Sequence, residues 1–163
     1  MLSLAEDGRV HGMLFWLMGD LGQTFIWWPA MLVLVVALLC SLPFARELNL
    51  LARGLLQAQA FGVAVGRLRF IVYVLASLAT AAAVTTAGSI GFVGLVVPHL
   101  VRLAIGNDQR VLLPGAALAG GALLVLADTA ARTLIAPQQL PVGVLTALIG
   151  VPVFLFLLAR QPR

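Results

Sequence analysis

The stretch "GSIGFVGLVVPHLVRL", Gly88 to Leu103, occupies the end of the longest uncharged run in the chain and decides how often that run crosses a bilayer. The run extends over 32 residues, Phe70 to Val101, whereas one spanning helix needs roughly 20. It reads either as one long tilted helix or as two helices joined at Ala87-Gly88-Ser89-Ile90-Gly91, where Gly88 and Gly91 permit a sharp reversal. Three further uncharged runs stand out: Phe25 to Pro43, Val111 to Ala127 and Pro141 to Ala159.

Arginine placement separates the two readings. With two helices in the long run, Arg46, Arg53, Arg67, Arg69, Arg102, Arg110, Arg160 and Arg163 fall on one side of the membrane and Arg9 and Arg132 on the other. With one helix the arginines divide evenly. Cytoplasmic loops carry the excess of basic residues, so the uneven division is the expected one. It predicts five spans, an external N-terminus, a cytoplasmic C-terminus and cytoplasmic loops over 44–69 and 102–110. Five spans with opposite-facing ends are also what one half of an inverted-topology repeat looks like.

Composition agrees. The chain of 163 residues is 62% hydrophobic and 10% charged, with mean hydropathy +1.09, and a soluble domain this apolar would expose large patches. The apolar runs are too long and too many for a cleaved signal peptide, and "MLSLAEDGRVHGMLFW" reads without a basic leader. All ten basic residues are arginine, scattered singly, which fits topology better than a nucleic-acid partner. Cys40 stands alone, excluding disulfide frameworks, and His11 and His99 share no helical face with each other or with acids, so no metal site is expected.

Several features invite a functional reading beside a plain one. Pro98 removes a backbone donor midway along the returning helix, giving either a kinked bundle helix or a broken helix lining a path. Pro152 predicts a second kink. His99 and Arg102 lie at i, i+3; Arg102 reads as a topology anchor and His99 as a structural residue capping or bridging backbone groups. Asn49, Arg53 and Gln57 recur at spacing four as one polar stripe, with Leu51, Leu55 and Ala58 on another face, and Gly54, Gly62 and Gly66 limit the local helices to about two turns. Asp128 and Arg132, at i, i+4, form either a neutralised pair or an external docking charge. Ala79, Ala83 and Ala87 on one span, and Ala117 with Gly121 on another, provide small-residue faces for close helix packing. No P-loop, nucleophile–base pair or paired carboxylate is present, so no catalytic residue is assigned.

The run from "GSIGFVGLVVPHLVRLAIGNDQRV" through "LADTAARTLIAPQQLPVGVLTALIGVPVFLFLLAR" resembles the C-terminal half of the FecCD-type permeases, the membrane subunits of ABC importers for iron-siderophores, haem and cobalamin. "LNLLARGLLQAQAFGV" resembles their cytoplasmic coupling loop and "FWLMGDLG" the stretch before their sixth span, so the likeness covers nearly the whole chain. The resemblance implies an all-α polytopic membrane helix bundle: one transmembrane domain over 1–163, spans near 25–43, 68–87, 91–104, 112–134 and 142–160, and short coupling helices in a loop over 46–67. It corresponds to the second half of a ten-span permease in the bacterial inner membrane.

The resemblance also implies partners: a cytoplasmic ABC ATPase, a periplasmic or surface solute-binding protein, a second permease copy and a complementary N-terminal half, with no cofactor. Carried over, Asn49, Arg53, Gly54, Leu55, Ala58 and Gly62 belong to the ATPase-coupling loop and Arg132 faces the binding protein. Gly88, Gly91, Gly94, Pro98, His99, Arg102, Asp108, Arg110, Asp128, Pro141 and Gly143 form the pathway and structural signature. The chain departs from the family pattern at Leu55, commonly Glu, at Gln109, commonly His, and at Gln139, commonly Glu. A membrane protein of the same fold that binds or regulates an intact permease without transporting is the alternative.

Overall fold

The computed structural model describes residues 12–22, 26–133 and 140–159. Among them there is no strand. After a short helical segment over 12–17 come α1 (Trp28–Ser41), α2 (Ala45–Ala52), α3 (Leu55–Ala60), α4 (Val65–Ala87), α5 (Val93–Ile105), α6 (Gln109–Thr133) and α7 (Val142–Ala159). Pro29 opens α1, where its missing N–H costs nothing. A single 3-10 turn, Leu42–Phe44, carries α1 into α2.

Three helical stretches are long and apolar enough to cross a membrane: Trp28–Ala52, Val65–Ala87 and Gln109–Thr133. At about 1.5 Å per residue the 23 residues of α4 reach across a hydrocarbon core of about 30 Å. The apolar α5 has 13 residues, so it extends only about two-thirds of that thickness. Non-helical backbone at such a depth survives where protein covers it. Hydroxyls along the helices are satisfied locally: Thr129 donates to the Val125 carbonyl and Thr133 to the Thr129 carbonyl, each at 2.8 Å.

The long uncharged run is divided into two helices. α4 ends at Ala87, Gly88 takes φ +73°, and α5 begins at Val93. The second left-handed residue of the reversal is Phe92, at φ +65°, and not Gly91. The Phe92 side chain lies against Gly150, where an added Cβ would collide with it. Gly66 does not limit a helix either. It lies in the first turn of α4, whose start is set at Val65 by the Schellman-type ending of α3 described below.

The prolines leave the helices continuous: α5 runs through Pro98, α7 through Pro152, and α6 through Pro114. Of the small-residue faces, the Ala117/Gly121 pair is displaced. Gly121 has open space around it, whereas a Cβ on Gly115 would meet Val101 and Ile105 at 3.3 Å. The α5–α6 contact therefore uses a different glycine, and Ala83 is exposed.

The chain forms two compact units. The first comprises residues 1–25, 84–97 and 120–163. Its core is Ala127, Ala131 and Val142, covered by Leu21, Leu124, Leu140 and Leu145. The second comprises 26–83 and 98–119. It buries Ala45, Ala58, Val65, Leu68 and Leu112. Large apolar side chains elsewhere lie open, among them Leu118 (77%) and Tyr73 (70%), as expected for surfaces that face lipid or another chain and not water.

Candidate functional site

In the second unit, α2 and α3 form a bent pair of short helices. Arg53 closes α2, and Gly54, at φ +136° and ψ +146°, breaks the path before Leu55 begins α3. A side chain rarely adopts this backbone, so the glycine makes the bend possible. The expected stripe of Asn49, Arg53 and Gln57 is consequently interrupted: Asn49 is on α2 and Gln57 on α3, with the break between them. α3 ends in a Schellman motif, in which the Val63 N–H donates to the Ala58 carbonyl (3.0 Å) and the Gly62 N–H to the Gln59 carbonyl (2.9 Å). Gly62, at φ +78°, supplies the left-handed residue. Ala58 is fully buried against the unit while Leu56 (80%) and Phe61 (73%) point outward. Two large apolar groups are thus exposed on a six-residue helix and its cap.

Asn49 faces another way. Its Nδ2–H donates to Asp108 Oδ1 at 2.8 Å, and its Oδ1 accepts the Gln109 N–H at 2.9 Å. Asp108 Oδ1 also accepts the Arg110 N–H at 3.1 Å, and the Asp108 carbonyl accepts the Leu112 N–H at 2.8 Å. The first free N–H groups of α6 are thus capped by two side chains, Asp108 from the adjoining loop and Asn49 from α2. These hydrogen bonds, that from Asn49 foremost, hold the exposed Asp108 carboxyl below the usual carboxylate range. Arg102 and Arg110 are exposed. His99 is half-buried, and its imidazole makes no hydrogen bond with a described residue, so the backbone-capping role expected for it is not found.

Between α2 and the start of α4 lies a cleft of about 450 Å³ lined by Phe44, Glu47, Leu50, Val63, Arg67 and Leu68 among others. Among the described residues no group of His, Cys, Asp and Glu is arranged to hold a metal ion.

The first unit gathers the remaining signature residues. The segment over 16–22 lies between the Gly88 turn and the start of α7. A Cβ on Gly88 would overlap the Trp16 carbonyl, and one on Gly143 would overlap the Met18 carbonyl. The Asp20 N–H donates to the Ala87 carbonyl and the Val142 N–H to the Gly19 carbonyl, both at 3.0 Å, while Ser89 donates its hydroxyl to the Leu17 carbonyl. Pro141 is buried beside Val142. Gly91 and Gly94 meet nothing within 4 Å at their Cβ positions, so neither is demanded by packing.

Arg132 Nε pairs with Asp128 Oδ2 at 2.8 Å, and the Arg132 side chain remains 41% exposed. Asp20 joins them. It is 8% exposed, its Oδ1 accepts the Gly22 N–H at 2.7 Å, and a Cβ on Gly22 would lie 3.1 Å from that oxygen and 3.3 Å from Arg132 Nη2. In the sequence Asp20 stands within "GDLG", an acid with glycines on both sides in an apolar chain.

Comparison with known proteins bears on both units. The profile of the FecCD transport family matches residues 1–160. The hemin transport system permease protein HmuU of Yersinia pestis is 46% identical over 162 residues, covering 97% of this chain and 48% of that protein. The cobalamin import system permease protein BtuC of Halobacterium salinarum is 51% identical over 160 residues, covering 95% of this chain and 42% of that one. A solved structure described as an inward-facing conformation of a metal-chelate type ABC transporter superposes with a TM-score of 0.79 at 37% identity, over 94% of this chain and 50% of that chain. The chain spans about half the length of the relatives it matches.

Proposed function

The chain belongs to the FecCD transport family, and from this we propose that it is the membrane permease subunit, or half-subunit, of a binding-protein-dependent ABC importer for a metal chelate. The observation that carries the reading is the bent pair α2–α3, with Leu56 and Phe61 exposed on a helix fixed at both ends by glycines. A surface of this kind suits the groove of a cytoplasmic ATPase. Iron-siderophore, haem and cobalamin complexes are the cargo class, since relatives at 46% and 51% identity carry hemin and cobalamin in their names.

In this reading the chain crosses the inner membrane five times, with the N-terminus outside and the C-terminus in the cytoplasm. Arg46, Arg53, Arg67, Arg69, Arg102 and Arg110 all belong to the second unit, while Arg132 is the one arginine of the first unit among the described residues. The excess of arginines in the loops over 44–69 and 102–110 supports a cytoplasmic placement of those loops. ATP binding closes the ATPase pair and moves α2–α3; each state of the permease is favoured by different contacts on that loop. Arg132, half neutralised by Asp128, presents its outer face to acidic residues of the binding protein, and a second permease copy completes the pathway. Hydrolysis takes place on the ATPase, and the permease contributes gating.

Co-purification tests this. The assembly retains its ATPase through washing; Gly54→Trp, which adds bulk at the bend, releases it, and Gly54→Ala, which adds backbone strain without bulk, shows how much of the loss is strain. An ATPase that stays bound to Gly54→Trp contradicts the loop assignment.

A further inference from the structure

Asn49 sits on the helix that precedes the bend, yet neither of its polar atoms is turned outward to a partner. Both are spent on one element: Nδ2 on Asp108 and Oδ1 on the first N–H of α6. An N-cap normally comes from the residue adjoining the helix, and Asp108 already fills that place with its bond to the Arg110 N–H. Asn49 comes from 59 residues away. Because a helix terminus has its strongest unmet donors and its positive dipole end there, a side chain fixed to it moves with the helix. Behind the clamp, Gly115 of α6 packs on Val101 and Ile105 of α5, so a displacement of the α6 start is shared with the end of α5.

We propose that Asn49 and Asp108 form a transmission clamp, a pair of positioning residues through which movement of the α2–α3 pair is delivered to α6. The inference rests on the reading of α2–α3 as the ATPase-contacting loop. It assigns Asn49 to the inner side of that loop, where it transmits, and leaves contact with the ATPase to Leu56 and Phe61.

The donor pattern supplies a discriminating experiment. In N49D two carboxylates face each other with no proton between them, and the side-chain bond is lost. In D108N the amide oxygen still accepts from Asn49 and from the Arg110 N–H. In the exchange N49D/D108N the donor direction reverses and every bond can form again. Bimane is attached at L118C, a position of α6 that is 77% exposed, in a C40S background of the assembled permease–ATPase complex, and its fluorescence is followed on adding ATP.

The clamp intact, ATP shifts the signal. N49D reduces the shift about tenfold, the size expected for losing a charge-assisted hydrogen bond, D108N keeps most of it, and N49D/D108N restores it. A shift that survives N49D, one that the exchange fails to restore, or a signal that ATP never moves overturns the clamp. Loss of ATPase from N49D that the exchange does not recover overturns it in favour of a direct ATPase contact. Absence of ATPase from the unmodified assembly overturns the parent reading instead, so the two failures are distinguishable.

Discussion

Asn49 and Asp108, 59 residues apart in the chain, share a 2.8 Å hydrogen bond that joins the bent pair α2–α3 to the start of α6. Its strength depends on the charge of one carboxylate, and this gives a pH signature. Hydrogen bonds to the ionised form depress the Asp108 pKa in the folded protein. A depressed folded-state pKa means that the group contributes stability above the unfolded pKa and loses it as the pH falls through the folded value. The unmodified protein should therefore melt above D108N in detergent at neutral pH, with the gap closing below the usual carboxylate range. A gap independent of pH contradicts the bond.

Gly88 and Gly121 should respond oppositely to alanine. Gly88→Ala places a Cβ on the Trp16 carbonyl at a left-handed backbone position, and a loss of about 2 kcal/mol or more is expected. Gly121→Ala adds a methyl in open space within α6 and should stabilise the helix by about 0.5–1 kcal/mol. Thermal melts of the two variants in the same detergent check the sign of each.

Arg132→Ala should weaken association with the solute-binding protein, by about tenfold at low ionic strength and less at high salt, because a partly exposed charge acts over roughly a Debye length. Asp128→Asn, which removes one of the two acids beside Arg132, should tighten the same association when the binding protein presents acids. Surface capture of the assembly at two salt concentrations reads both effects.

Topology is tested at Asn107 and Leu17. With five spans, a cysteine replacing the exposed Asn107 reacts with impermeant maleimide from the cytoplasmic side only, and one replacing Leu17 from the outside only. If residues 70–101 formed a single span, Asn107 would react from outside. The C40S background removes the native thiol.

Much of this was legible in the sequence, and the exceptions have physical causes. The helix break at Gly88 could be found because arginine placement along the chain supplies a signal independent of hydropathy. The left-handed residue at the other end of this connection is Phe92 and not Gly91, which sequence favours because glycine is the cheaper left-handed residue. The polar stripe through Asn49, Arg53 and Gln57 presumed an unbroken helix, and Gly54 breaks it. The hydrogen-bond partners of Asn49 could not be read, because they are remote in sequence and periodicity describes only neighbours. Asp20 was hidden for the same reason: its contacts, Ala87 and Arg132, lie on helices far along the chain.

ATP-dependent uptake is the most direct test of the central claim. Vesicles carrying the complete assembly, its ATPase and its binding protein are given hemin, cyanocobalamin or a ferric siderophore as probe. The account predicts that one of these chelates accumulates only when ATP is present, and that Gly54→Trp abolishes the accumulation. Uptake that proceeds without ATP, or an assembly with bound ATPase that moves none of the three, would contradict it.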